Sequence, residues 1–198
     1  GCVYFAEQMI KTRGEDFHGK TVLVSGSGKV AQFASKKAYQ YGGKVVTLSD
    51  SGGFVHDPDG IDLEKLAFIM ELKNERYGRI SEYAEKYPGV KFYKGKKPWG
   101  IKCDIAMPCA TQNEINLADA KELVNKGCFC LSEGANMPTE SDAINYFIEK
   151  KILYGPGKAA NAGGVAVSGL EMVQNSLHTS WLREEVKERL YRIMIDIH

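Results

Sequence analysis

The 198-residue sequence lacks any apolar run long enough to span a bilayer. It also lacks a charge excess: 26 Lys and Arg stand against 25 Asp and Glu, a net charge of +1. Nothing global therefore points to nucleic acid or to an anionic membrane surface. No C-x-x-C pair occurs, and the five cysteines (Cys2, Cys103, Cys109, Cys128 and Cys130) are odd in number. Buried free thiols in a reducing compartment are the expected state, and the cytoplasm the expected location. Cys128 and Cys130 lie two apart in a strand-like run, which predicts that they face one side of a sheet. The four histidines, His18, His56, His178 and His198, are scattered without ligand spacing, so no metal site is expected. There is no internal repeat and no low-complexity linker. Residues 1–11 carry no basic region followed by an apolar core, which argues against a secretory signal. No Met starts the chain, which points to a piece of a longer one.

What is present is a core-sized apolar content of 43% and one informative stretch, residues 20–50. Thr21 to Ser25 reads as a buried strand. It ends in Gly26-Ser27-Gly28-Lys29-Val30-Ala31, a G-x-G-x-x-A turn. Val30, Phe33, Ala34 and Ala38 follow at helical spacing, Gly42-Gly43 ends the helix, and Lys44 to Leu48 reads as a second strand closing at Asp50. Strand, glycine turn, helix, strand and acid is the order of a dinucleotide-binding unit. Gly26 allows a tight turn, Gly28 admits a pyrophosphate to the backbone, and Ala31 lets the helix approach the sheet. The helix start offers free N–H groups to phosphates.

The rest repeats one pattern: apolar strand, loop of small and amide residues, helix. Cys2 to Lys11 reads as an amphipathic leading helix. Phe54 to His56 reads as a short strand, and Asp57-Pro58-Asp59-Gly60 as a turn. Asp62 is placed to cap a helix with Leu63, Leu66, Ile69 and Met70 inward. That helix leads into Lys73, Arg76 and Arg79, three cations at spacing three, and continues from Ile80 to Lys86. Alone, such a row reads as a solvated face; soon after the second strand it is placed to reach an adenosine ribose and the extra phosphate of NADP. Strands are expected at Val90 to Tyr93, Cys103 to Met107, Cys128 to Ser132 and Ile152 to Tyr154. Helices are expected from Asn116 as cap, over Ser141 to Lys150, from Val165 to about Leu177, and over Trp181 to Ile197 with Leu182, Val186, Leu190 and Ile193 inward. The fold class is α/β: a Rossmann-like, doubly wound, mostly parallel sheet with helices on both faces and further helices at the C-terminus. Loops at the C-terminal ends of such strands line the ligand crevice, so Asn136 and Asn161 are expected to point at the cofactor.

Four segments, SGSGKVAQ, PCATQNEI, EGANMPT and GKAANAGGVAVSGLEMVQN, resemble the hexameric NADP-type glutamate dehydrogenases, in motif order along the whole chain. The resemblance implies a two-domain subunit whose N-terminal domain carries the catalytic lysine, the proton-transferring aspartate and much of the glutamate site. That family's lysine-bearing glycine-rich motif is absent here, so no catalytic residue is expected in this chain, which would bind cofactor but not turn over alone. Residues 1–16 would be the leading helix, 17–180 the dinucleotide-binding domain and 181–198 the start of a C-terminal helical segment.

By position, the resemblance implies that Gly26, Ser27, Gly28 and Val30 hold the pyrophosphate. Lys29 stands where asparagine is usual. Asp50 and Ser51 would lie beside the adenosine ribose. An acid alone favours NAD by repelling a 2′-phosphate; Ser51 with Lys73, Arg76 and Arg79 looks like the NADP solution, leaving NAD the less favoured cofactor. Ala110, Thr111, Gln112 and Asn136 would flank the cofactor, and Asn161 would meet the nicotinamide amide. Val165 and Ser168 would form this domain's part of the glutamate pocket, Ser168 bonding the side-chain carboxylate. The implied reaction is reversible oxidative deamination of L-glutamate to 2-oxoglutarate and ammonia, in a homohexamer held chiefly by the other domain. The alternatives are a stand-alone dinucleotide-binding module and an NAD-dependent dehydrogenase of another amino acid.

Overall fold

In the computed structural model, which describes residues 1–177 and 180–197, helices and strands alternate along the chain. His178 and His198 lie outside the described residues. Helix α1 spans Cys2–Lys11, β1 Thr21–Val24, α2 Lys29–Gln40, β2 Lys44–Asp50 and β3 Gly53–His56. Then come α3 Leu63–Asn74, α4 Ser81–Lys86, β4 Lys91–Lys94, β5 Ile105–Met107 and α5 Leu117–Asn125. The chain continues through β6 Cys130–Ser132, α6 Ser141–Glu149, β7 Leu153–Gly155, α7 Gly157–Ala160, α8 Ala162–Leu177 and α9 Arg183–Ile197. The strands form one sheet in the order β4-β3-β2-β1-β5-β6-β7. The five from β2 to β7 run parallel; at the other edge β3 is antiparallel to β2, and β4, antiparallel to β3, runs in the direction of β2 again.

Both faces of the central strands are covered, which is why they read as unbroken apolar runs rather than alternating ones. Side-chain alternation divides them. Val22, Val24, Ile105, Met107 and Cys130 enter one core with α1 to α4; Leu23, Ala106 and Leu131 enter the other with α5, α6 and the buried Trp99. The β1–β2 register slips between Val22 and Leu23. There Thr47 takes up the backbone of Val24, its Oγ1 accepting from the N–H and donating to the carbonyl, both at 3.1 Å.

Helix α2 differs from its expected inner face. Ala31, Ala34 and Ala38 pack inward, whereas Val30 and Phe33 are 50% and 58% exposed. Small residues, not large ones, bring this helix onto the sheet. The helix expected to run from residue 63 through 86 is broken. Asp62 caps α3, accepting from the Lys65 N–H at 2.9 Å. But Leu63 is exposed and Leu72 buried in its stead. After Asn74 the chain turns through Tyr77 at φ 52°, and α4 starts anew. The break has a cause: the Ile80 N–H bonds the Asp50 carboxylate at 2.9 Å, and Arg79 N–H the Glu82 carboxylate at 2.9 Å, so neither continues a helix.

Cys128 and Cys130 do not share a face. Cys128 precedes β6 and packs in the core of α5 and α6, while Cys130 packs in the other. The strand is shorter than the apolar run, so the two-residue period does not extend back to Cys128. All five cysteines are buried and unpaired. Leu182, expected to face inward, lies just before α9 and is exposed, while Met194 of α9 is buried; Tyr191 meets Tyr4 edge-on at 5.3 Å, which ties α9 to α1. Among the described residues no helix is long and apolar enough to cross a membrane.

Candidate functional site

The chain leaves β1 toward β2 on one side and returns to β5 on the other, so the loops after β1 and β5 diverge. In open α/β sheets that divergence opens the ligand crevice at the carboxyl ends of the strands. Gly26 sits there at φ +79°, and a Cβ on it would come within 2.8 Å of the Cys109 carbonyl oxygen. Its N–H donates to Ser49 Oγ at 2.7 Å, and the Cys109 N–H donates to Ser25 Oγ at 2.9 Å. Ser25 and Ser49 thus fasten the two loops to β1 and β2; neither was marked by the sequence reading, because a lone serine beside a glycine carries no distinguishing pattern.

Ser27 is buried, with its carbonyl accepting from Gln32 Nε2 at 2.7 Å. Gly28 caps α2 with extended backbone (φ −77°), and a Cβ there meets nothing within 4 Å. That open cradle above the first amides of a twelve-residue helix fits a pyrophosphate. Lys29 is exposed at the first position of the helix. Val30 borders the loop after β6: its Cγ1 lies 3.3 Å from where a Gly134 side chain would start.

At the end of β2 the residues converge as a pocket of about 340 Å3, lined among others by Asp50, Ser51, Arg79, Ser81, Phe92 and Lys94. Asp50 is held by three donors: the Gly52 N–H at 2.8 Å, the Ile80 N–H at 2.9 Å and Lys73 Nζ at 3.4 Å. Burial pushes its carboxyl up, but those amides and the ammonium outweigh it, and the net pKa lies below the ordinary value. Ser51 Oγ accepts from Arg79 Nη1 at 2.9 Å.

The three cations therefore part company. Arg79 lines the pocket. Lys73 lies behind it, bonding Asp50 and the Gly78 carbonyl at 2.8 Å. Arg76 turns to Glu82, 3.1 Å away on the exposed side. Spacing of three presumed a continuous helix, and the break at Asn74 removes that geometry. Ser81, Phe92 and Lys94 were missed because α4 and the antiparallel β4 bring them in from far along the chain.

Ala110, Thr111 and Gln112 form an exposed loop after β5. Glu114 braces it, accepting from the Ala110 N–H at 3.0 Å; burial raises the Glu114 pKa. Asn136 is exposed on the next loop. Asn161 bridges to that loop, its Nδ2 donating to the Ala135 carbonyl at 3.3 Å. Glu133, buried, joins the same loops from beneath: its two oxygens accept from the Tyr154 hydroxyl at 2.8 Å and the Gly157 N–H at 2.5 Å. Val165 and Ser168 are both exposed on α8, one turn apart. Among the described residues no hydrogen bond joins Ser168 to another of the candidate residues.

The family model for glutamate/leucine/phenylalanine/valine dehydrogenases matches residues 1–198. An NAD(P)-specific glutamate dehydrogenase of Xylanibacter ruminicola is 65% identical over the whole chain, which spans 44% of that relative. An NADP-specific glutamate dehydrogenase of Haemophilus influenzae is 52% identical and an NAD-specific one of Bacteroides fragilis 50%, with the same spans. The crystal structure of Plasmodium falciparum glutamate dehydrogenase superposes with a TM-score of 0.96 at 47% identity, over 99% of this chain and 42% of that one. Seven strands in this order, the glycine cradle at their switch point and these matches agree: the chain belongs to the glutamate/leucine/phenylalanine/valine dehydrogenase family.

Proposed function

We propose that this chain is the NADP(H)-binding domain of a glutamate dehydrogenase, a longer protein that interconverts L-glutamate with 2-oxoglutarate and ammonia. Residues 17–180 form the binding domain, 1–16 lead into it, and 181–198 begin a C-terminal helical segment. The remaining domain supplies the catalytic lysine and aspartate. The observation that carries the cofactor assignment is the pocket at the end of β2, where Arg79 and Lys94 face a carboxylate already neutralised by Lys73 and two amides. A free acid there would bond a ribose 2′-hydroxyl and repel a 2′-phosphate; Asp50 spends its oxygens on the protein.

The residues divide the work. The amides from Gly28 onward and the Lys29 ammonium neutralise the pyrophosphate at the helix start. Ala110 to Gln112 and Asn136 line the walls, and Asn161 orients the carboxamide end. When bound, the nicotinamide would supply the chemistry of hydride exchange with glutamate Cα. Ser168 gives its hydroxyl to the substrate's side-chain carboxylate, and Val165 lies against the substrate's methylenes. A pocket built to bond a carboxylate disfavours branched-chain substrates, which would leave that hydroxyl unpaired. The longer protein works as a homohexamer in the cytoplasm, and neither nucleic acid nor membrane is among its partners.

Calorimetric titration of the longer protein with NADPH and NADH, at low and moderate salt, tests this. Tighter, salt-sensitive NADPH binding is expected. Equal affinity, or preference for NADH, returns the decision to the Asp50 carboxylate and supports the NAD-dependent reading instead.

A further inference from the structure

We propose that Lys94, at the end of the edge strand β4, is a specificity-determining residue that selects a dinucleotide carrying a 2′-phosphate over one without it. The inference rests on the NADP-binding reading above and adds a residue that no motif marks. Two close approaches put Lys94 where it is. It pairs with Gly53 in the β3–β4 register, and Gly53, at φ +143°, leaves room that a side chain would fill, its Cβ falling 2.2 Å from the Tyr93 carbonyl oxygen. Beside it the Gly95 N–H bonds the Gly52 carbonyl at 2.8 Å. After the reversal at β3, β4 runs in the direction of β2 and ends beside its carboxyl end, and Lys94 becomes a wall of the pocket that also holds Ser51 and Arg79.

Among the described residues, the charges around that pocket leave Lys94 and Arg79 without a counter-ion. Lys73 is paired with Asp50, Arg76 with Glu82 and Lys97 with Asp119. Arg79 is steadied by Ser51 through a neutral hydroxyl, which leaves its charge unmatched as well. No ion pair to Lys94 occurs among the described residues. A phosphate between Arg79 and Lys94 meets a planar fork on one side and a point charge on the other. A ribose hydroxyl at that place gains little from an ammonium that water already solvates. The discrimination therefore falls on the phosphate.

The test is titration of the longer protein and its Lys94→Ala, Lys94→Glu, Lys94→Arg and Lys91→Ala variants with NADPH and with NADH. Lys91 serves as control because it is a cation on the same strand, pairing with His56 at the far end. Lys94→Ala is expected to weaken NADPH on the order of tenfold, the lower range for a bond to a charged group because the ammonium is exposed. NADH affinity is expected to change less than about threefold, Lys94→Arg to retain the preference and Lys94→Glu to reverse it. An unchanged NADPH affinity, an equal loss of both cofactors, or the same loss in Lys91→Ala overturns the assignment. The failure of the underlying reading looks different: it shows in the unsubstituted protein, as NADH binding at least as tight as NADPH.

Discussion

Gly26 and Gly28 stand two residues apart in one turn, and the structure gives them opposite duties. At Gly26 the backbone is left-handed and a Cβ would meet the Cys109 carbonyl oxygen at 2.8 Å, an atom that cannot swing away. Gly26→Ala therefore combines left-handed strain with overpacking against backbone, together about 2–5 kcal/mol of folding stability. At Gly28 the backbone is extended and the space is open, so Gly28→Val costs only its weaker helix cap, about 1 kcal/mol or less. Its isopropyl group, however, fills the cradle that the pyrophosphate needs. Urea melts should separate the two variants in stability, and calorimetry should reverse their order in binding. Gly28→Val is expected to melt near the unsubstituted protein and to lose NADPH and NADH alike, by more than about 100-fold, since removing a phosphate site affects both cofactors equally. A Gly28→Val protein that binds either cofactor within about threefold of normal refutes the cradle. A Gly26→Ala protein of undiminished stability refutes the account of the turn.

Asp50→Asn should alter the acid limb of the stability curve. Its folded pKa lies below the ordinary 3.8, so its contribution is present above that value and is lost as pH falls through the folded pKa. The Asn variant should lack that loss in urea melts run across the acid range; an identical acid limb would show that the three donors do not bind the charge. Asp62→Ala strips the N-cap of α3 and should cost about 1 kcal/mol in the same assay. Ser168→Leu in the longer protein should raise the glutamate KM or shift preference toward apolar amino acids, and an unaltered substrate profile would remove Ser168 from the pocket. Arg79→Ala should weaken NADPH far more than Arg76→Ala, since only Arg79 lines the pocket; equal losses would restore the simple cationic row.

Local signals proved sufficient wherever a residue's conformation depends on its near neighbours. The glycine turn, the caps Asp62 and Asn116, the turn at Gly60 and the apolar runs of the parallel strands all announce themselves within a few residues. A buried strand must be apolar on both sides, and a helix start needs an acceptor for its free amides, whatever surrounds them. The order and kind of the elements, and the phosphate-binding turn, follow from that alone.

The ribose pocket could not be read in this way. The row of Lys73, Arg76 and Arg79 exists only if one helix runs unbroken, and a hydrogen bond from Ile80 to Asp50, thirty residues away in sequence, breaks it. Lys94 reaches the site because the reversed β3 lets β4 end beside the carboxyl end of β2, and Cys128 parts from Cys130 because β6 begins after it. Strand direction and long-range hydrogen bonds are settled by which partners compete for the same backbone groups, and that competition is resolved only when the whole chain packs.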